Sequence, residues 1–126
     1  MKKIINTKEA PAAIGPYSQA IEANGMIFLS GQIALDPDNG ELKNDNIQQE
    51  TRQVLDNLTS VLKAAGSKLS LVVKCSIFMS EMAHYTTVNE IYAEYFKDDA
   101  PAREAMAVKE LPKGVNVEIS AIALSA

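Results

Sequence analysis

Apolar residues recur along this chain with two different periods. In Val115, Val117, Ile119, Ala121 and Ala123 every second position is apolar, set against Asn116, Glu118, Ser120 and Ile122. That is the pattern of a strand with one buried face. Just upstream, Arg103, Ala105 and Ala107 share one side of a run whose other side carries Glu104, Met106 and Val108. Leu111-Pro112-Lys113-Gly114 ends this run, because Pro donates no ladder hydrogen bond and Gly permits positive φ. The stretch Pro101 to Ala123 therefore predicts a strand, a short connection and a second strand. The two are consecutive and can pair, one bearing Arg103 and the other Glu118.

The same reading extends towards the N-terminus. Lys2 to Ile5 predicts a short edge strand, and Pro11 with Gly15-Pro16 keeps the chain extended up to Tyr17. Gln19 to Ala23 and Met26 to Ile33 flank Asn24-Gly25, the pair that a type I′ hairpin turn selects. Asp36-Pro37-Asp38-Asn39-Gly40 reads as an exposed turn. A helical period then takes over. Asp45 is placed as N-cap, with Gln48 three residues on, and Ile47, Val54, Leu55, Leu58, Val61, Leu62 and Ala65 form one apolar stripe closed by Gly66. Leu71 to Met79 predicts a strand with Val73, Cys75, Ile77 and Met79 on one face. A second helix is expected from about Met82 to Phe96, with Tyr85, Val88, Tyr92, Tyr95 and Phe96 inward, stopped by Asp98-Asp99-Ala100-Pro101.

The order ββ-α-β-α-ββ, with a further N-terminal strand, predicts an α+β sandwich: one mixed sheet with both helices on one face. The other face is not purely polar, given Ile33, Phe78 and Ile122, and nothing remaining in the chain covers it. A partner subunit would.

Composition narrows the class. With 126 residues, 47% of them hydrophobic, the chain 1–126 is expected to form a single domain. A formal charge of −4 with dispersed basic residues argues against nucleic-acid binding, which needs clustered Lys and Arg. The start Met-Lys-Lys-Ile-Ile is short for a signal peptide and no apolar run reaches membrane length. The single Cys excludes an intrachain disulfide, and a cytoplasmic protein is expected.

The candidate chemistry starts from Arg103 and Glu118. A guanidinium holds a small carboxylate in a two-pronged fork, and a nearby Glu can position or deprotonate a water; the same spacing also fits an ordinary cross-strand ion pair. Cys75, between Val73 and Ile77, reads as a small buried residue, and His84 as a surface histidine. No cluster has metal-ligand spacing and no glycine loop has a phosphate-binding pattern, so neither metal nor cofactor is expected.

Three stretches carry a family resemblance: Pro101-Ala102-Arg103 with Leu111-Pro112 and Val117-Glu118-Ile119-Ser120-Ala121-Ile122-Ala123; AIGPYSQA at Ala13 to Ala20; and SGQI at Ser30 to Ile33. Together they resemble the RidA family (YjgF-type, L-PSP) of reactive imine and enamine deaminases, over essentially the whole chain. The resemblance implies a chorismate-mutase-like fold and a homotrimer with sites between subunits. It implies Arg103 as the anchor of the substrate carboxylate and Glu118 as the group that orients a water. Tyr17, Ser30, Gly31, Asn89 and Ala105 would complete the binding cleft. The implied reaction converts 2-aminoacrylate, 2-iminopropanoate or 2-iminobutanoate into 2-oxo acids and ammonia.

The chain departs from the family where members commonly read S-C-V-E-V after the key Arg. Here Glu104-Ala105-Met106-Ala107-Val108 stands, so Ala105 and Ala107 replace a Cys and a Glu, which excludes a thiol mechanism at that position. The replacements also leave open a trimeric metabolite-binding regulator without turnover. The endoribonuclease-type translation inhibitor named in the family's older title is a third reading, disfavoured by the acidic charge.

Overall fold

Chain reversal at Asn24-Gly25 follows from its residue types. In this computed structural model, which describes residues 1–126, Asn24 has φ 50° and Gly25 φ 75°. The edge strand β1 (Lys3–Ile5) pairs antiparallel with β2 (Ala20–Ala23). That strand pairs in turn with β3 (Met26–Gln32), with Ala23 opposite Met26. The next reversal, at Asp36 to Gly40, is held by Gly40 N–H donating to the Asp36 carbonyl at 2.8 Å.

Helix α1 (Ile47–Ala64) begins one residue later than Asp45 and Gln48 suggest. Asn46 is the cap: its Oδ1 accepts from Gln49 N–H at 2.7 Å, while Gln49 Oε1 accepts from Asp45 N–H at 2.8 Å. Asp and Asn are equally competent caps, and the choice falls on Asn46 because its carbonyl accepts the Glu50 N–H bond at 3.0 Å. The other end matches expectation. Gly66 at φ 77° and Ser67 donate to the Lys63 and Leu62 carbonyls at 3.0 and 2.8 Å, a Schellman closure.

After α1 come β4 (Val72–Met79), a short 3₁₀ turn at Met82–His84, α2 (Tyr85–Tyr95), β5 (Ala102–Ala107) and β6 (Val117–Leu124). The six strands form one mixed sheet in the order β1-β2-β3-β6-β4-β5. Ile27, Leu29, Cys75, Ile77, Met79, Val117, Ile119, Ala121 and Ala123 turn one face of it towards Val54, Leu55, Leu58, Val61, Leu62, Val88, Ile91 and Tyr92 of the helices. Each fully buried Leu or Val in this layer contributes roughly 1.5–3 kcal/mol relative to exposure.

The sheet order corrects the expectation for the C-terminal strands. β5 and β6 do not pair, because β4 lies between them. β4 runs parallel to β5, with Cys75 beside Arg103, and antiparallel to β6, with Phe78 beside Glu118. The cause is α2, a crossover helix that returns the chain in the same direction and lays β5 along the outer side of β4. A second correction lies at the start of β4. The register shifts between Val72 and Lys74, so Val72 is buried and Val73 exposed, while Cys75, Ile77 and Met79 face the core as expected.

The opposite sheet face has no helix on it. Phe28 lies beside Ile122 and Phe78 beside Met106, with Phe28 44% and Met106 37% exposed. Among them Glu104 accepts from Ser76 Oγ at 2.7 Å and pairs with Lys74 Nζ at 3.4 Å. Ile33 lies beyond the end of β3 and lines a cleft instead. No helix is long and apolar enough to cross a membrane.

Candidate active site

At the ends of β3 and β6, a cleft of about 520 Å³ opens between Tyr17, Ser30, Gly31, Glu118 and the Pro112-Lys113 turn. Its walls are held by buried amides. Gln19 Oε1 accepts from Thr7 N–H at 2.7 Å, and Gln19 Nε2 donates to the Thr7 and Pro11 carbonyls at 3.0 and 2.8 Å. That fixes the proline-containing loop bearing Pro11, Ala12 and Ile14. Opposite, Asn57 Nδ2 donates to the Ile33 and Leu35 carbonyls at 3.0 and 2.9 Å.

The floor of the cleft is a strand irregularity. Pairing of β3 with β6 shifts between Leu29 and Gln32, at Ser30-Gly31. Ser30 Oγ donates to the Ser18 carbonyl at 2.6 Å, so this hydroxyl ties β3 to the loop and is left only with acceptor capacity. Gly31 has another reason to lack a side chain: a Cβ there would collide with the Glu118 carboxylate. Glu118 is half-buried, and desolvation by burial raises its pKa above the ordinary Glu value. No hydrogen bond or ion pair within the chain counters that burial.

Arg103 lies elsewhere. Its side chain is on the helix-covered face of edge strand β5, against α2. Nη1 donates to Asn89 Oδ1 at 2.8 Å and Nη2 to the Tyr85 hydroxyl at 2.6 Å. The guanidinium carbon stands 4.9 Å from the Tyr92 ring centre and 5.6 Å from that of Tyr85. No carboxylate pairs with it. Five N–H groups less two leave three free to receive a carboxylate. Ala105 follows on the same face, partly buried against the core, and Ala107 is exposed.

The candidate residues thus fall into two groups. Tyr17, Ser30, Gly31 and Glu118 share the cleft, whereas Arg103, Asn89 and Ala105 lie together at the β5 edge. Glu118 projects from the face opposite Arg103, with β4 between their strands, so the cross-strand ion pair does not form. Asn89 accordingly orients Arg103 and does not line the cleft. Cys75 is fully buried, and burial pushes its thiol up. His84 stands 3.6 Å from Glu81 and is partly buried.

Three contributions, one of them from a pair of tyrosines, were not singled out for the site beforehand. Tyr85 precedes Asn89 by four residues and Tyr92 follows it by three, the spacing of one helix face, and that polar-aromatic stripe was the available signal. Glu50 is fully buried; it accepts from Asn116 N–H at 2.7 Å, Val117 N–H at 2.9 Å and Asn116 Nδ2 at 3.2 Å, tying α1 to the root of β6. A carboxylate inside an apolar stripe was its signal. Lys113, the third, had none.

An edge-held guanidinium and a cleft with an unpaired carboxylate stand on a six-stranded mixed sheet backed by two helices, an α+β architecture. The family model described as Endoribonuclease L-PSP matches residues 7–125. The chain belongs to this family, the RidA type that its motifs resemble. It is 48% identical to a mouse protein named 2-iminobutanoate/2-iminopropanoate deaminase, over 98% of this chain and 92% of that one. It is also 48% identical to a RutC family protein of Pyrococcus horikoshii, over 98% of both chains. Escherichia coli TdcF, solved with bound serine, superposes with a TM-score of 0.94 at 37% identity, over 98% of this chain and 99% of that one.

Proposed function

We propose that this protein hydrolyses reactive 2-imino acids, with 2-iminopropanoate and 2-iminobutanoate as the type substrates, at sites completed between copies of the chain. The observation that carries this reading is Arg103. It is a cation with no carboxylate partner, oriented by two neutral acceptors and left with a free set of donors at a sheet edge. Such a group suits the carboxylate of a small ligand. The serine bound to TdcF and the deaminase name of the mouse relative support the same substrate class.

The chemistry asks for positioning more than force. Once protonated, the imine carbon is already electrophilic, so holding its carboxylate and presenting a water at C2 supplies the geometry. Arg103 anchors the carboxylate. Glu118 of a neighbouring copy orients the water, accepts its proton and returns it to the departing nitrogen. Backbone N–H groups near Gly31 and Ala105 stabilise negative charge that develops on the attacking oxygen as its proton leaves. The balance is R–C(=NH₂⁺)–COO⁻ plus water giving R–CO–COO⁻ plus NH₄⁺, and it requires no metal or organic cofactor.

The same reading needs at least a second copy, and the family resemblance makes the assembly a homotrimer. Arg103 and Glu118 cannot reach one small molecule from opposite faces of one sheet, and the helix-free face exposes Phe28 and Met106. Sedimentation equilibrium is expected to give three times the 13.6 kDa chain mass. A monomer at micromolar concentration overturns the shared site.

The activity is tested by coupling a threonine or serine dehydratase to this protein and following 2-oxo acid formation. Acceleration over the uncatalysed rate is expected, and an unchanged rate sinks the reading. A metabolite-binding regulator is the second reading, favoured by Ala105 and Ala107 on the Arg103 face; it predicts 2-oxo acid binding without acceleration. An RNA-cleavage assay with chelator addresses the endoribonuclease named in the family description; the net charge of −4 weighs against it.

A further inference from the structure

The cleft contains one acidic and one basic residue, Glu118 and Lys113. Lys113 is unusual in its backbone. It sits at φ 58°, ψ 18°, in the left-handed region that a non-glycine residue enters at a cost. The turn is pinned on both sides, with Gly114 N–H donating to the Leu111 carbonyl at 3.0 Å and Val115 N–H to that of Pro112 at 3.3 Å. Pro112 adds a locked φ. No carboxylate pairs with the Lys113 ammonium: the chain's four ion pairs use Lys43, Arg52, Lys74 and His84. A rigid turn thus holds an unpaired cation at the rim of a cleft whose only other charge is negative.

We propose that Lys113 is the electrostatic guide of this cleft, capturing the substrate carboxylate at the entrance before Arg103 of a neighbouring copy clamps it. The proposal rests on the imine-hydrolysis reading for its substrate and adds a residue to it. Without Lys113, the carboxylate end of a ligand approaching the cleft meets the uncompensated Glu118 charge. With it, the mouth carries a charge pair that matches a zwitterionic iminium carboxylate: ammonium towards carboxylate, carboxylate towards iminium. Because the guide acts during approach, its effect belongs in kcat/KM and in salt dependence, not in kcat.

The left-handed backbone makes a clean test. Lys113→Gly removes the charge while suiting the observed φ, so the variant is expected to fold at least as stably as the parent. Lys113→Arg restores a cation. At low ionic strength kcat/KM for 2-iminobutanoate should fall about three- to tenfold in Lys113→Gly, the scale of one exposed charge, with kcat unchanged. The difference should vanish near 0.5 M salt, at roughly a 4 Å screening length, and Lys113→Arg should match the parent. Equal kcat/KM at low salt, or a deficit that salt does not change, overturns the guide and leaves the hydrolysis reading standing.

A titration with 2-oxobutanoate, followed by NMR, separates the two ideas, since this product keeps the carboxylate and undergoes no hydrolysis. If the parent shows no turnover, the hydrolysis reading falls. Weaker 2-oxobutanoate binding by Lys113→Gly at low salt then still supports the guide. Equal binding, or none by either protein, overturns it.

Discussion

Gly31 on β3 and Glu118 on β6 are so closely apposed that a Cβ built on Gly31 would lie 2.9 Å from the Glu118 carboxyl carbon. The obstacle is the far end of a flexible side chain and not backbone, so Glu118 can swing aside. Gly31→Ala should therefore cost less than about 1 kcal/mol of stability, while moving the carboxylate away from its place. Imine hydrolysis should fall by about 10- to 100-fold, as far as in Glu118→Gln. Unfolding midpoints and kcat/KM of the two variants, measured side by side, check this. Full activity in Gly31→Ala would show that the position of Glu118 does not matter.

Glu118 also sets a pH dependence. Burial favours its neutral form, so its pKa in the folded protein lies above that in the unfolded chain. At low pH both states hold the proton and the group has no effect on stability. As pH rises the unfolded chain releases its proton first, and above the raised folded value the destabilisation is complete. Glu118→Gln should thus be slightly more stable than the parent at pH 7, with the advantage lost towards pH 4 (about the ordinary Glu value). The activity of the parent should show an acidic limb above that value, absent from whatever activity Glu118→Gln retains.

For Arg103, charge alone should not suffice. Arg103→Lys keeps a cation but gives up the planar fork and the paired contacts to Asn89 and Tyr85. A loss of about 2–4 kcal/mol in transition-state binding, roughly 30- to 1000-fold in kcat/KM, is expected from a folded protein. Tyr85→Phe removes one holder and keeps the ring, so a smaller loss, about five- to tenfold, should follow. Near-parent turnover by Arg103→Lys would make Arg103 structural.

Glu50 has a structural test. Glu50→Ala strands the backbone N–H groups of Asn116 and Val117 inside the protein. Urea unfolding should show a loss of roughly 3 kcal/mol or more, and about half of that or less for Glu50→Gln, which keeps an acceptor oxygen. A loss under about 1 kcal/mol in Glu50→Ala would mean that water replaces the carboxylate.

Under the proposed function, Ala105 and Ala107 should bear on substrate choice. Both lie on the Arg103 face of β5, with Ala105 partly buried. Small side chains there leave room beside the clamp, and each substrate methylene that fills it is worth roughly 1 kcal/mol. Imines derived from methionine or leucine should be processed well relative to 2-iminopropanoate. Ala105→Cys with Ala107→Glu should shift the ratio of kcat/KM values back towards the small imine. An unchanged ratio would place this face out of reach of the substrate side chain.

Much of the fold is local and was legible for that reason. Asn24-Gly25 requires positive φ at consecutive residues, and only a primed turn supplies it. The α1 stripe and Gly66 specify a helix and its end through contacts within a few residues. The alternation from Val115 to Ala123 assigns a buried face to β6 because one side of a strand must leave water. The motifs named candidate site residues, but not how those residues group in space. Strand neighbours are another matter, since pairing is a contact between distant segments and each strand pattern admits several. The crossover by α2 inserted β4 between the strands of Arg103 and Glu118, which turned two apparent partners into residues on opposite faces. The bulge at Val73, the burial of Glu50 and the presence of Lys113 at the cleft likewise depend on how distant elements pack. Residue types determined which charged and polar groups this chain carries; the tertiary arrangement decided which of them stand together and which are held apart on opposite faces of the sheet.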